Sequence, residues 1–166
     1  MSDASRRDDP WPVAVAAESP LQDEVRRLVA ALNADLLELT PREFCHHMTV
    51  EEMAGPDTTA FVARIGGEAV AIGALRRHGE GVGEVKRMYT RPDTRGRGVA
   101  GQVLSAIEQL AGSEGLRRLV LETGNRHLSA WRLYERFGFR RCGPFLGYPD
   151  TGWSIFYEKQ LATVTA

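Results

Sequence analysis

The ten residues TRGRGVAGQV, from Thr94 to Val103, carry the most chemistry in the chain. Gly96, Gly98 and Gly101 spell G-x-G-x-x-G, the spacing that lays a dinucleotide pyrophosphate on a helix start. Glu122 follows about 20 residues on, where that fingerprint places an acid for the ribose. Arg95, Gly98 and Ala100 also spell R-x-x-G-x-A, a pyrophosphate loop of a different kind. Both spacings rest on one physical idea. Glycines let the backbone approach an anion, and a helix N-terminus offers orphan N–H groups and a positive dipole end. Arg95 and Arg97 add charge. A glycine turn that merely opens a helix is the reading without a ligand.

The surrounding elements separate the two spacings. WPVAVAAE reads as a first strand. Ser19-Pro20-Leu21-Gln22 reads as a helix start, with a Ser cap, Pro at the first helical position and Gln at the third. Leu21, Val25, Leu28, Leu32, Leu36 and Leu39 then recur at steps of three and four, an amphipathic helix ending near Thr40-Pro41. Thr49-Val50-Glu51-Glu52 is a second capping box, opening a short helix that Gly55-Pro56 stops. TAFVARI, EAVAIGALRR and GEVKRMYT read as an antiparallel meander, its first hairpin turning at Gly66-Gly67. A helix follows from Gly98 to Ala111, then the strand RRLVLET, a helix from Leu128 to Phe137, and the closing strands FRRCG and WSIFYEKQL.

The order is β-α-α-β-β-β-α-β-α-β-β, an α+β chain with one strand-helix-strand crossover between Glu84 and Thr123. A dinucleotide fold needs its first glycine at the strand end and a long parallel sheet around it. Here RPDT intervenes, three antiparallel strands come first, and too few residues remain for the missing units. Gly101 then becomes an incidental glycine in the first helical turn, although its N–H still counts among those facing an anion.

The chain has 166 residues, 43% hydrophobic and 26% charged, with a net charge of −1. That suits one domain over residues 11–166, with residues 1–10 as a disordered tail. The charge balance argues against nucleic acid as a partner. No apolar run is long enough to span a membrane, and the N-terminus lacks the apolar core of a secretory signal. Cys45 and Cys142 are expected to be free thiols in a reducing, cytoplasmic setting. Cys45-His46-His47 reads as a polar loop rather than a metal site, because no further ligand stands at the right spacing.

EVKRMYTRPDTRGRGVAGQVL resembles the acetyl-CoA motif of the Gcn5-related N-acetyltransferases (the GNAT family). LVLETGNRHLSAWRLYERFGF resembles that family's second hallmark, a strand followed by the A-x-x-L-Y-E-x-x-G-F helix. The likeness runs from about Thr58 to Leu161. It is closest to a bacterial subgroup marked by EVKRMY, LETG and a terminal segment that here reads PFLGYPDTGWSIFYEK. The resemblance implies a mixed, mostly antiparallel sheet flanked by about four helices and splayed in a V between strands 4 and 5, where acetyl-CoA inserts. It implies that the backbone of Met88, Tyr89 and Thr90 holds the pantetheine arm. The segment Arg95, Gly96, Arg97, Gly98, Val99, Ala100 and Gly101 would hold the pyrophosphate. Tyr134 matches the tyrosine near the thioester sulfur. His127 departs from the pattern, standing where the family carries Asn or Gln, and Asn125 is off register.

The implied activity is acetyl transfer from acetyl-CoA to a primary amine of a small molecule or peptide, in a ternary complex. The alternative is a CoA-binding regulatory module without catalysis. An amine of pKa about 10.4 is neutral in only about one molecule in 2,500 at pH 7, a handicap of about 4.6 kcal/mol, so a base is useful. Glu84 and Glu122 are the candidate bases, and ordered water is the third. The reading without catalysis makes one or both of them edge charges or salt-bridge partners for Lys86 or Arg118. Arg76, Arg87, His78 and Tyr148 are candidates to read an acidic acceptor. The sequence leaves room for a homodimer. Gly98→Asp is expected to set a negative charge at the pyrophosphate loop and raise the KM for acetyl-CoA; an unchanged KM would remove the loop assignment.

Overall fold

A computed structural model of the protein describes residues 12–45 and 47–162. The expected tail at 1–10 and His46 lie outside the described residues. The elements follow the expected order. They are β1 (Val13–Ala17), α1 (Asp23–Leu39), α2 (Val50–Met53), β2 (Thr58–Ile65), β3 (Glu68–Gly79), β4 (Val82–Thr90), α3 (Val99–Ser113), β5 (Arg118–Gly124), α4 (Leu128–Arg136), β6 (Arg140–Cys142) and β7 (Ser154–Gln160). Single turns of tighter helix lie at Arg42–Phe44 and Pro92–Thr94. Among the described residues no helix is long and apolar enough to cross a membrane.

The strands form one sheet in the order β1-β2-β3-β4-β5-β7-β6. All neighbours are antiparallel except β4 and β5. That parallel pair matches only Val82, Gly83 and Glu84 with Arg118, Leu119 and Val120. Beyond Glu84 the outer edge of β4 has no strand partner. β5 pairs along its whole length with β7 on its other side. This is the expected splay between the fourth and fifth strands.

Both faces of the sheet are covered, which explains why β3 is apolar almost continuously rather than alternating. Phe61 and Ala63 of β2 belong to the cluster under α3 and α4, with Val103, Leu104, Ile107 and Tyr134. Ala60 and Val62 face the other way, onto Val25, Leu28 and Val29 of α1 and Met53 of α2. Burying a side chain of this size contributes about 1.5–3 kcal/mol each. Arg64 of β2 bonds to Glu18 and Glu24 at 2.9 and 3.1 Å and fixes the start of α1 against the sheet edge.

Two sequence expectations change. The helix expected at Ser19 starts at Asp23 instead. Ser19 Oγ accepts from the Leu21 N–H, while the Gln22 side chain bonds to Glu18 and the Ser19 carbonyl, so the local polar groups build a turn rather than a capping box. The box at Thr49 and Glu52 does form, with both reciprocal bonds. Gly101 is not incidental either. A Cβ there would stand 2.9 Å from Cζ of Phe137, so the missing side chain lets the end of α4 close onto α3. Gly101→Val is expected to destabilise the protein by about 1–3 kcal/mol through overpacking, read as a lower denaturant midpoint with an unchanged slope.

Candidate active site

The parting of β4 from β5 opens a cleft of about 1360 Å3. Its walls are the free end of β4, the loop after it, the first turns of α3 and one side of α4. The loop turns at Gly96 (φ 82°) and Gly98 (φ 75°), a left-handed backbone that L side chains adopt at a cost. Gly98 caps α3 with no side chain closing the helix end, so the first N–H groups stay available to an anion. Of the residues expected to hold acetyl-CoA, Met88, Tyr89, Thr90, Arg95, Gly96, Gly98, Val99, Ala100, Gly101 and His127 line this cleft. Arg97 stands outside its lining. Arg95 Nε donates to the Thr90 carbonyl at 3.0 Å, and its guanidinium lies 5.7 Å from the centre of the Tyr89 ring.

A second cavity of about 150 Å3 adjoins the cleft on the α1 side. Leu32, Leu36, Met88, His127, Ala130 and Tyr134 line both spaces. Tyr134 is 6% exposed, packed edge-on against Phe139 at 5.8 Å. Burial, with the Glu122 charge adding to it, raises its phenol well above the ordinary value, so it stays protonated near neutrality.

Both candidate carboxylates line the small cavity, in different surroundings. Glu84 is 2% exposed and heavily bonded. His78 Nε2 lies 2.8 Å from Oε1, while Oε2 accepts from Tyr148 at 2.6 Å and from Lys86 at 3.2 Å. Glu122 is only partly buried and accepts from Ser154 Oγ at 2.9 Å. The ion pair with Lys86 is therefore realised for Glu84. Arg118 pairs with Glu158, at 2.6 Å.

β4 carries a bulge at this point. Its register with β3 slips between Ile72 and Ala74, so Arg87 and Met88 oppose Gly73 alone. Arg87 absorbs the irregularity with φ 56°, an uncommon conformation for a residue with a side chain. Its guanidinium is buried and bonds through Nη2 to Asn33 Oδ1 of α1. Burial alone pulls its pKa down to about 10. Of the four residues considered for an acidic acceptor, Arg87 lines the cavity, while Arg76 is paired with Asp57 and His78 and Tyr148 are bonded to Glu84. Sequence reasoning missed Phe44 and Trp153, whose stacked rings (6.2 Å, 16°) wall the cavity. Neither has a periodic neighbour that would mark it.

A seven-stranded sheet split beside one parallel pair, with a capless helix start at the split, defines a CoA-dependent acyltransferase fold. The model of the acetyltransferase (GNAT) family matches residues 25–139, and the chain belongs to that family. It is 41% identical over 150 residues to an IAA acetyltransferase of Azospirillum brasilense, covering 90% of this chain and 98% of that one. It is 38% identical to the uncharacterized N-acetyltransferase YsnE of Bacillus subtilis, over 82% of this chain and 93% of the relative. A crystal structure of the acyl-CoA N-acyltransferase class from Klebsiella pneumoniae superposes with a TM-score of 0.79 at 32% identity, covering 90% and 98% of the two chains. The protein is thus a GNAT-type N-acetyltransferase that takes its acyl group from an acyl-CoA.

His127 sits where both spaces meet. It occupies the residue before α4 without capping it, and Nε2 is buried with no partner among the described residues. Asn125 instead ties the β5 end to the closing segment through Gly152 and Trp153. Desolvation lowers the His127 pKa below the ordinary 6.5. The folded state therefore resists a proton that the unfolded chain accepts. Stability is full above pH 6.5 and declines as pH falls through the window below it. His127→Asn is expected to flatten that decline, measured as the thermal midpoint against pH; an unaltered slope would show that the imidazole is not desolvated.

Proposed function

We propose that acetyl-CoA occupies the large cleft and a primary amine the small cavity, and that transfer proceeds by direct attack where the two meet. The carrying observation is the shared wall. Met88 and Tyr134 border both spaces, so a thioester and an amine held in the two cavities have one place to react. The fit to acetyl-CoA rests on the unpaired edge of β4 for the pantetheine amides and on the open N-terminus of α3 for the pyrophosphate.

In this reading Glu122 is the base. It lines the acceptor cavity and its charge is felt at Tyr134, whereas Glu84 already takes three donors and serves to hold Tyr148 and Lys86 in place. The amine nitrogen forms a bond to the acetyl carbon and loses its proton to the Glu122 carboxylate, directly or through water. The C–S bond breaks, and the Tyr134 hydroxyl gives its proton to the leaving sulfur. A backbone N–H of the bulge at Met88 is the candidate donor to the thioester oxygen.

Tyr134→Phe is expected to lower kcat by about 100-fold with little change in the KM for acetyl-CoA. A kcat within about twofold of wild type would remove Tyr134 as the acid. Glu122→Gln is expected to abolish the acidic limb of the kcat/KM profile, whereas the same effect from Glu84→Gln with Glu122→Gln unaffected would exchange their roles. The assay is thiol release from acetyl-CoA over amino acids, polyamines, aminoglycosides and peptides.

A further inference from the structure

One charge in the small cavity has no ion-pair partner among the described residues. Arg87 is 7% exposed and lines that cavity, yet not the cleft assigned to acetyl-CoA. Among the described residues its hydrogen bond goes to a neutral amide oxygen, Asn33 Oδ1. Its Nε is buried with no partner among the described residues. A buried cation is costly unless paired, and even half-buried arginines of this chain have carboxylate partners. Arg64 meets Glu18 and Glu24, Arg91 meets Glu68 and Asp93, and Arg77 meets Glu114. At Arg87 burial lowers the guanidinium pKa.

Glu84 is matched by Lys86 at 3.2 Å, and Glu122, which accepts from Ser154 Oγ, is the carboxylate assigned to the amine. What remains is a rigid fork of N–H donors, the geometry that binds a carboxylate on two oxygens. The strained φ of Arg87 points the same way, since a residue held in a sparsely populated conformation is over-determined by its surroundings. The volume of about 150 Å3 suits a compact molecule, and Leu32, Leu36, Phe44 and Trp153 supply apolar walls.

We infer that the acceptor is an amine that also carries a carboxylate, of the amino-acid class, and that Arg87 binds this carboxylate and selects for it. The inference rests on the small cavity being the acceptor site. The amine would face Glu122 and Tyr134, and the carboxylate would supply the anion that Arg87 lacks.

The test uses matched pairs, phenylalanine with phenylalaninamide and leucine with leucinamide, on the full chain. Thiol release from acetyl-CoA reads transfer, and the thermal shift with each compound alone reads binding without chemistry. The amides carry the less basic amine, so protonation alone favours them and works against the expected result. Wild type should show kcat/KM for the acids at least about tenfold above the amides, the size of one charged hydrogen bond. Arg87→Gln should abolish that preference through the acceptor KM, leaving the KM for acetyl-CoA unchanged. Only the acids should raise the thermal midpoint of wild type, and they should not raise that of Arg87→Gln.

Equal rates and equal shifts for acid and amide in wild type would overturn the carboxylate site and leave amine transfer standing; that arm needs no variant to fold. Loss of rate on acids and amides alike in Arg87→Gln would also overturn it. Arg87-dependent shifts by the acids, with no thiol released to any amine, would support the carboxylate site and overturn the transfer reading instead.

Discussion

β4 and β5 share three residue pairs and then part, and almost every functional feature of the molecule follows from that parting. A parallel pair that continued would satisfy the outer edge of β4 with a neighbouring strand and close the sheet. The bulge at Arg87 and Met88 bends β4 just past the last shared pair, while β5 runs on paired with β7 at its far edge. An exposed strand edge in a sheet's interior is normally a liability. Here it becomes a row of donors and acceptors inside a cleft, sheltered by α3 and α4.

The helices on either side have separate tasks. α3 aims an uncapped N-terminus at one end of the cleft, and its glycine-led turn leaves room for an anion. α4 brings Tyr134 to the junction of the two spaces, and its end rests on Gly101 of α3 through Phe137. The two walls of the large cleft are therefore braced against each other by a contact that no side chain at position 101 would permit. α1 does the equivalent for the small cavity, with Leu32 and Leu36 as wall and Asn33 holding Arg87.

Much of this architecture is legible in the sequence because it is written in short-range signals. The periodicity of α1, the capping box at Thr49, the Gly66-Gly67 hairpin and the loop from Arg95 to Gly98 all declare themselves within a few residues. The loop and Tyr134 also stand out by resemblance to a family motif, and Tyr134 falls at the meeting of the two cavities. What escapes is set by contacts distant in sequence. Ser19 looks like a cap because its neighbours fit the pattern, but Glu18 and Arg64 recruit Gln22 into another network. Gly101 looks dispensable until α4 is folded against it. The insertion of β7 between β5 and β6 has no local signature. Arg87, a non-glycine residue at positive φ, gives no sign in the sequence of the bulge it makes or of the burial of its charge.

The late segment around Tyr148 has a bearing on how the protein comes into being. Tyr148 reaches back to Glu84 across 64 positions of chain, and β7 lies between two strands that precede it. The small cavity takes Trp153 into its wall, so it is complete only when the closing segment has folded back. The large cleft is lined by residues up to Phe137, all of which precede that segment in the chain. Of the two spaces, the small one therefore depends on the last residues to be made, and the large one does not.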